Sequence, residues 1–182
     1  MNRMNTILTE IEQVTSQVNE TSVTDIVEII NRSKRIFVIG EGRSGLMAKS
    51  FAMRLMHLGA EVYVVGETIT PSISKEDLLV SISGSGSTKS VVWTSEKAAS
   101  LGCEVIAITT NLDSDLAQQA NLNLHIPAAT KYRRDHEQAS IQPLGSLFDQ
   151  CAHIVFDTIC LEYAERKEYG SQQAFNMHSN LE

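Results

Sequence analysis

The sequence is poor in features that mark several protein classes. Only three of its 182 residues are cysteine (Cys103, Cys151 and Cys160), and they form neither a CxxC pair nor a metal-ligand spacing. An odd number of scattered cysteines offers no disulfide framework and predicts buried thiols in a reducing cytosol. Aromatic residues make up 5% of the chain against 42% hydrophobic overall, so the core must be built mainly from aliphatic side chains and Met. No apolar run approaches the roughly 20 residues of a membrane span. Residues 1–12 alternate polar and apolar without the core of a signal peptide. Basic residues are outnumbered, 15 Lys+Arg against 22 Asp+Glu, giving a net charge of −7. That balance disfavours a nucleic-acid or anionic-membrane surface, and an anionic ligand would have to be held by local donors. The expectation is a cytoplasmic chain with no nucleic-acid and no membrane partner, folded as one domain without repeats or linkers.

What the chain does contain is alternation of strand and helix patterns. Ile7, Ile11, Val14 and Val18 predict an amphipathic helix over 4–19, and Thr24 is a plausible N-cap for a second helix carrying Val27 and Ile30. Strands are predicted at 35–39, 61–65, 78–83, 104–109 and 122–126. Helices are predicted from Met47 to Leu58, from Lys89 to about Leu101, over 113–120 and over 144–166, with a short helical tail beyond. Such alternation implies a parallel sheet covered on both faces, an α/β fold. The pattern fails between Pro127 and Pro143, where a long polar loop suits a lid, a subunit contact or disorder.

Two glycine loops end two of these strands. Ser83-Gly84-Ser85-Gly86-Ser87-Thr88 gathers four hydroxyls and two glycines at the start of a helix. Glycine lets a backbone approach a ligand closely, and a helix start offers free N–H groups and a positive dipole end. Together these suit a phosphate group, although an ordinary strand-to-helix turn with an N-cap serine shares part of the pattern. Gly40, Gly42 and Gly45 spell GxGxxG between a strand and a helix, with Glu67 at the end of the next strand: the dinucleotide fingerprint. Against a dinucleotide, the chain leaves no room for a separate substrate domain and offers no recognisable hydride-transfer site. Two such loops facing one crevice suit a small phosphorylated molecule better. Glu67 then reads as a solvated strand end.

Gly42-Arg43-Ser44-Gly45, the run 51–59, Thr70-Pro71-Ser72, Ser83–Thr88, the run 142–148 (QPLGSLF) and the ending Asn180-Leu181-Glu182 resemble the 6-phospho-3-hexuloisomerases of the sugar isomerase (SIS) domain superfamily. The resemblance covers the chain from about Thr24. It implies a flavodoxin-like three-layer sandwich with a five-stranded parallel sheet, one domain over 1–182. It also implies a homotetramer, with the N-terminal helices (about 4–32) and the C-terminal helix and tail (about 144–182) contributing to subunit contacts. The implied reaction is isomerisation of 3-hexulose 6-phosphate to fructose 6-phosphate, in the ribulose monophosphate route of formaldehyde fixation. A phosphosugar sensor without catalysis, or an isomerase of another sugar phosphate, would share the same loops.

Such an isomerisation needs a base that moves a proton between adjacent carbons, donors for the developing oxyanion, and a clamp on the phosphate. No metal or organic cofactor is chemically required. The clamp is assigned to Ser44, Ser83, Ser85 and Thr88 with the amides of Gly84, Gly86 and Ser87, and Arg43 is a further candidate for the sugar or phosphate. The resemblance places the base at Asp149, where the family carries Glu; spacing alone reads it as a solvated first-turn Asp favoured by the helix dipole. It likewise suggests that His178 reaches an active site, its own or a neighbour's, to move protons between sugar oxygens; a frayed terminal residue is the plainer reading. Met177 stands where the family usually has Arg or His. Of the other histidines, His57 reads as packed or exposed on its helix, and His153 shares a helical face with Asp149. His125 and His136 have no partner at informative spacing.

Overall fold

The computed structural model describes residues 2–134 and 137–181; His136 and the terminal Glu182 lie outside them. In chain order it contains α1 (Arg3–Thr15), α2 (Glu20–Arg32), β1 (Ile36–Gly40), α3 (Gly42–His57), β2 (Val62–Val64), β3 (Leu78–Ile82), α4 (Lys89–Ser100), β4 (Glu104–Thr109), α5 (Asp115–Gln119), β5 (Leu122–His125), α6 (Ser146–Arg166) and α7 (Ser171–Asn176). The strands form one parallel sheet in the order β2-β1-β3-β4-β5.

Strand side chains alternate between faces, and the two faces bury different helices. Ile36, Val38, Leu78, Val80, Ile106 and Ile108 face a core shared with α2, α3 and α6. Phe37, Ile39, Leu79, Val105 and Ala107 face Val91 and Ala98 of α4 and Leu116 of α5. The chain leaves β1 through α3 toward β2, and leaves β3 through α4 toward β4, so the winding reverses between β1 and β3. Open α/β sheets bind their ligands beyond the strand ends at such a reversal. Both glycine loops lie there.

Local chemistry set several boundaries differently from the sequence reading. α2 starts before Thr24: Asn19 is the N-cap, its side chain accepting from the Ser22 N–H at 3.2 Å. Thr24, inside the helix, donates to Glu162 across on α6 at 3.4 Å. α1 stops at Thr15, α5 is shorter than expected behind its Ser114 cap, and α6 begins at Ser146 because Leu144 takes φ 53°. The 127–143 loop is held down in its described part. Buried Glu10 of α1 accepts from Ser140 Oγ at 2.7 Å, the Ile141 N–H at 2.8 Å and Gln142 Nε2 at 3.1 Å. Glu137 accepts from the Thr130 N–H and Oγ1 at 2.7 and 2.6 Å.

At the end of the sheet away from the glycine loops, Asp77 is 2% exposed. Arg35 grips it with Nε at 2.9 Å and Nη2 at 2.7 Å, and Ser74 donates its N–H at 2.7 Å and its hydroxyl at 2.9 Å. Burial pushes this carboxyl up, but these bonds outweigh it and hold it below the ordinary value. A depressed folded value contributes stability above the unfolded value of about 3.9, lost as pH falls through the folded value. Asp77→Ala leaves the partly exposed Arg35 guanidinium without its carboxylate and Ser74 without its acceptor, and should lower stability at neutral pH. Urea unfolding checks this, and the deficit should shrink in acid.

Candidate active site

Three helices begin around one cavity. The N-caps of α3, α4 and α6 are Glu41, Thr88 and Gly145, and none makes a side-chain capping bond. Glu41 instead accepts from Ser90 Oγ at 2.8 Å, turning away from its own helix. The three starts bring first-turn amides and positive dipole ends together. Between them lies a cavity of about 560 Å³.

One wall is the serine loop. Ser83 Oγ lies 2.8 Å from Thr88 Oγ1 and 3.5 Å from Ser85 Oγ, and Ser87 Oγ donates to Ser85 Oγ at 3.1 Å. The Gly86 amide donates back to the Ser83 carbonyl at 3.0 Å, and its φ of 66° is open to glycine. A Cβ there would sit 2.0 Å from Ser114 Oγ. Ser83, Gly84, Ser85 and Thr88 line the cavity, whereas Gly86 is buried in the loop and Ser87 is exposed outside the lining. In the other loop, a Cβ on Gly45 would meet the Gly40 carbonyl oxygen at 2.7 Å, so this glycine serves close helix–strand packing. Glu67 is exposed and paired with Lys49 at 2.6 Å, as a solvated strand end.

The opposite wall carries the carboxylate. Asp149, in the first turn of α6, is 5% exposed. Ser44 Oγ donates to its Oδ1 at 2.7 Å, and Arg43 Nε stands 3.8 Å from Oδ2. Arg43 Nη1 donates to Ser146 Oγ at 2.8 Å. Burial raises the carboxyl above its ordinary value, opposed incompletely by the Ser44 bond and the Arg43 charge. A first-turn Asp bathed in solvent is therefore not what the fold provides. Cys151, two residues on, is fully buried and its thiol is pushed up to about 12, as is that of Cys160, so neither supplies a thiolate near neutrality.

Ser44, Arg43 and Asp149 thus meet Ser83, Gly84, Ser85 and Thr88 around one space, and His178 does not join them. Its ring stacks on His57 at the far end of α3, centroids 5.3 Å apart and planes at 22°. Ser44 and His57 are separated by about 20 Å of helix at 1.5 Å per residue. His57 is buried, and burial first, then Arg54 and His178, lowers its basicity. His153 turns to Asp157 at 3.6 Å, and His125 Nε2 lies 3.0 Å from the Thr110 carbonyl oxygen. The sequence reading missed Thr130, Lys131 and Ser146 on the cavity wall. Thr130 and Lys131 carry no local signal, because Glu137 and Glu10 fold their loop inward; Ser146 lay in the QPLGSLF run without an assigned role. Among the described residues, no group of three or more His, Cys, Asp or Glu is placed to hold a metal ion. No helix among them is long and apolar enough to cross a membrane.

The SIS domain family model matches residues 29–148, which span β1 to β5 and reach the first turn of α6. This chain belongs to the SIS domain family. A 3-hexulose-6-phosphate isomerase of Bacillus subtilis is 41% identical over 176 residues, 97% of this chain and 95% of that protein. A 3-hexulose-6-phosphate isomerase of Mycobacterium gastri is 39% identical over 182 residues, 100% of this chain and 90% of that one. Among solved structures, a Methanococcus jannaschii protein for which a molecular function of 3-hexulose-6-phosphate isomerase is inferred superposes with a TM-score of 0.87. It is 32% identical, and the match covers all of both chains.

In this SIS chain the raised carboxyl carries a stability cost. As pH rises past about 3.9 the unfolded chain releases the Asp149 proton while the folded chain keeps it, so stability falls across the window up to the folded value. Asp149→Asn escapes that penalty. Its Tm should match the parent in acid and exceed it near neutrality, by about 2–4 °C per kcal/mol recovered. Thermal unfolding across pH is the check, and a variant less stable than the parent at pH 7 would contradict the assignment.

Proposed function

We propose that this chain is a 3-hexulose-6-phosphate isomerase, as three relatives of 41%, 39% and 38% identity are named. It interconverts 3-hexulose 6-phosphate and fructose 6-phosphate through an enediol(ate), the step that the ribulose monophosphate route of formaldehyde fixation requires. One observation carries the reading. A buried carboxylate with a raised pKa faces a hydroxyl-lined loop across a cavity ringed by three helix N-termini.

In this reading the serine loop holds the phosphate. Ser83, Ser85 and Thr88 supply hydroxyls, the start of α4 supplies amides and dipole, and the cavity wall adds Arg43 and Lys131 as cations. The ionised Asp149 takes the proton from C2 while the C3 carbonyl oxygen gains one, giving the enediol. The C2 hydroxyl then yields its proton, the carbonyl forms at C2, and Asp149 returns its proton to C3. A carboxyl of raised pKa is a stronger base toward carbon. The sugar is held still by its phosphate, so the positioning gain falls on the reacting carbons.

His178 is proposed to serve the cavity of a neighbouring subunit in a cytoplasmic homotetramer, because its own cavity lies some 20 Å along α3. There it would carry protons between sugar oxygens.

In deuterated water with fructose 6-phosphate, the enzyme should exchange a carbon-bound proton. Asp149→Asn should lose about 10²–10⁴-fold of that rate while still binding the sugar phosphate. Undiminished exchange in the variant removes Asp149 as the base, and binding without exchange in the parent favours a sensor. Mixed Asp149→Asn and His178→Ala subunits should regain part of the activity if the histidine acts across the interface.

A further inference from the structure

Ser44 was first assigned to the phosphate clamp with the serines of the other loop. Its surroundings differ from theirs. The hydroxyls of Ser83, Ser85, Ser87 and Thr88 contact one another, whereas Ser44 directs its single hydrogen to Asp149 Oδ1 at 2.7 Å. A hydroxyl whose hydrogen is so placed has none for a phosphate oxygen. We propose that Ser44 is a positioning residue that fixes the Asp149 carboxylate for proton transfer. The proposal rests on the isomerase reading and adds a residue role to it.

The helix packing supports this assignment. Ser44 and Asp149 meet near the starts of α3 and α6, and seven residues further along each helix Phe51 and Phe156 stack, with centroids 4.6 Å apart and planes at 21°. Seven residues are about two turns, or 10.5 Å, so both contacts fall on the same pair of facing stripes. Both phenylalanines are buried, at 2% and 1% exposure. The stack therefore sets the register that delivers the hydroxyl to the carboxylate. This counts for more with Asp than with Glu, because the shorter side chain has less reach with which to recover from a slip.

The two carboxylate oxygens are consequently unequal. Oδ1 is tied to Ser44, while Oδ2 has the Arg43 guanidinium 3.8 Å away, itself bonded to Ser146. Oδ2 is the oxygen left to exchange the proton. Arg43 of α3 is the nearest charge; Lys131 and Glu41 line the same cavity, and His153, one turn along α6, is turned to Asp157. Since the Ser44 bond favours the ionised carboxyl, its removal should push the group higher still.

The test compares Ser44→Ala and Ser44→Thr with the parent enzyme. Ser44→Ala should lower kcat by about 10–100-fold, the scale of a misplacement near 1 Å, with KM little changed. The acid limb of its pH–rate profile should move to higher pH, and Ser44→Thr, which keeps the hydroxyl, should restore much of the rate. A raised KM with kcat intact would return Ser44 to the phosphate clamp and overturn the proposal, as would an unaltered kcat. The Asp149 carboxyl is also titrated by carbon-13 NMR, where Ser44→Ala should raise its midpoint and an unchanged midpoint contradicts the proposal. The NMR readout needs no turnover, so it still reports on the bond if the chain proves not to be an isomerase.

Discussion

Everything at the site depends on how α3 and α6 lie against each other. The two helices come from distant parts of the chain, and both point their N-termini at the cavity. The Phe51–Phe156 stack fixes them two turns in, where both rings are buried. At their mouths the same register brings Ser44 to Asp149 and Arg43 to Ser146. The serine loop is placed by a separate element, the β3–α4 turn, so the groups proposed for substrate grip and for proton transfer stand on different elements facing one space. The reversal of winding between β1 and β3 is what allows those helices to face each other.

Two aspartates show how the fold divides its electrostatics. Asp77 and Asp149 are almost equally buried, at 2% and 5% exposure, yet their carboxyls move in opposite directions. Asp77 receives two bonds from Arg35 and two from Ser74, which more than repay its desolvation. Asp149 has the Ser44 hydroxyl and a guanidinium held off at 3.8 Å, and desolvation prevails. The first arrangement stabilises the end of the sheet away from the glycine loops. The second leaves a raised carboxyl at the cavity end, where a ligand is proposed to bind, at a cost in stability typical of sites built for chemistry.

Much of this was legible in the sequence because it is written in local patterns. Strand alternation, the helix ends near Leu58 and Leu101 and the serine loop follow from periodicity and turn chemistry, and the five-stranded parallel sheet came out as expected. Asp149 was singled out only through family resemblance, since a first-turn Asp is ordinary and its hydrogen-bond partner Ser44 lies 105 positions away. The start of α2 was misplaced because Asn19 and Thr24 are both competent caps, and only packing of Val23 against the core chooses between them. Glu10, three residues after Ile7 and four before Val14, borders the apolar stripe of α1, and it is buried with Ser140, Ile141 and Gln142 arriving from over a hundred residues later to bond it. Those partners tie down a loop that looked free. The His57–His178 stack is of the same kind, a tertiary contact with no local signature.

The central claim is spatial: one sugar phosphate bridges the serine loop and the Asp149 carboxylate. A crystal of the protein soaked with fructose 6-phosphate measures this directly. The phosphorus should lie within hydrogen-bonding range of the Ser83, Ser85 and Thr88 hydroxyls, with C2 and C3 of the sugar beside Asp149 Oδ2. A phosphate seated away from residues 83–88, or reacting carbons turned from Asp149, would contradict the account.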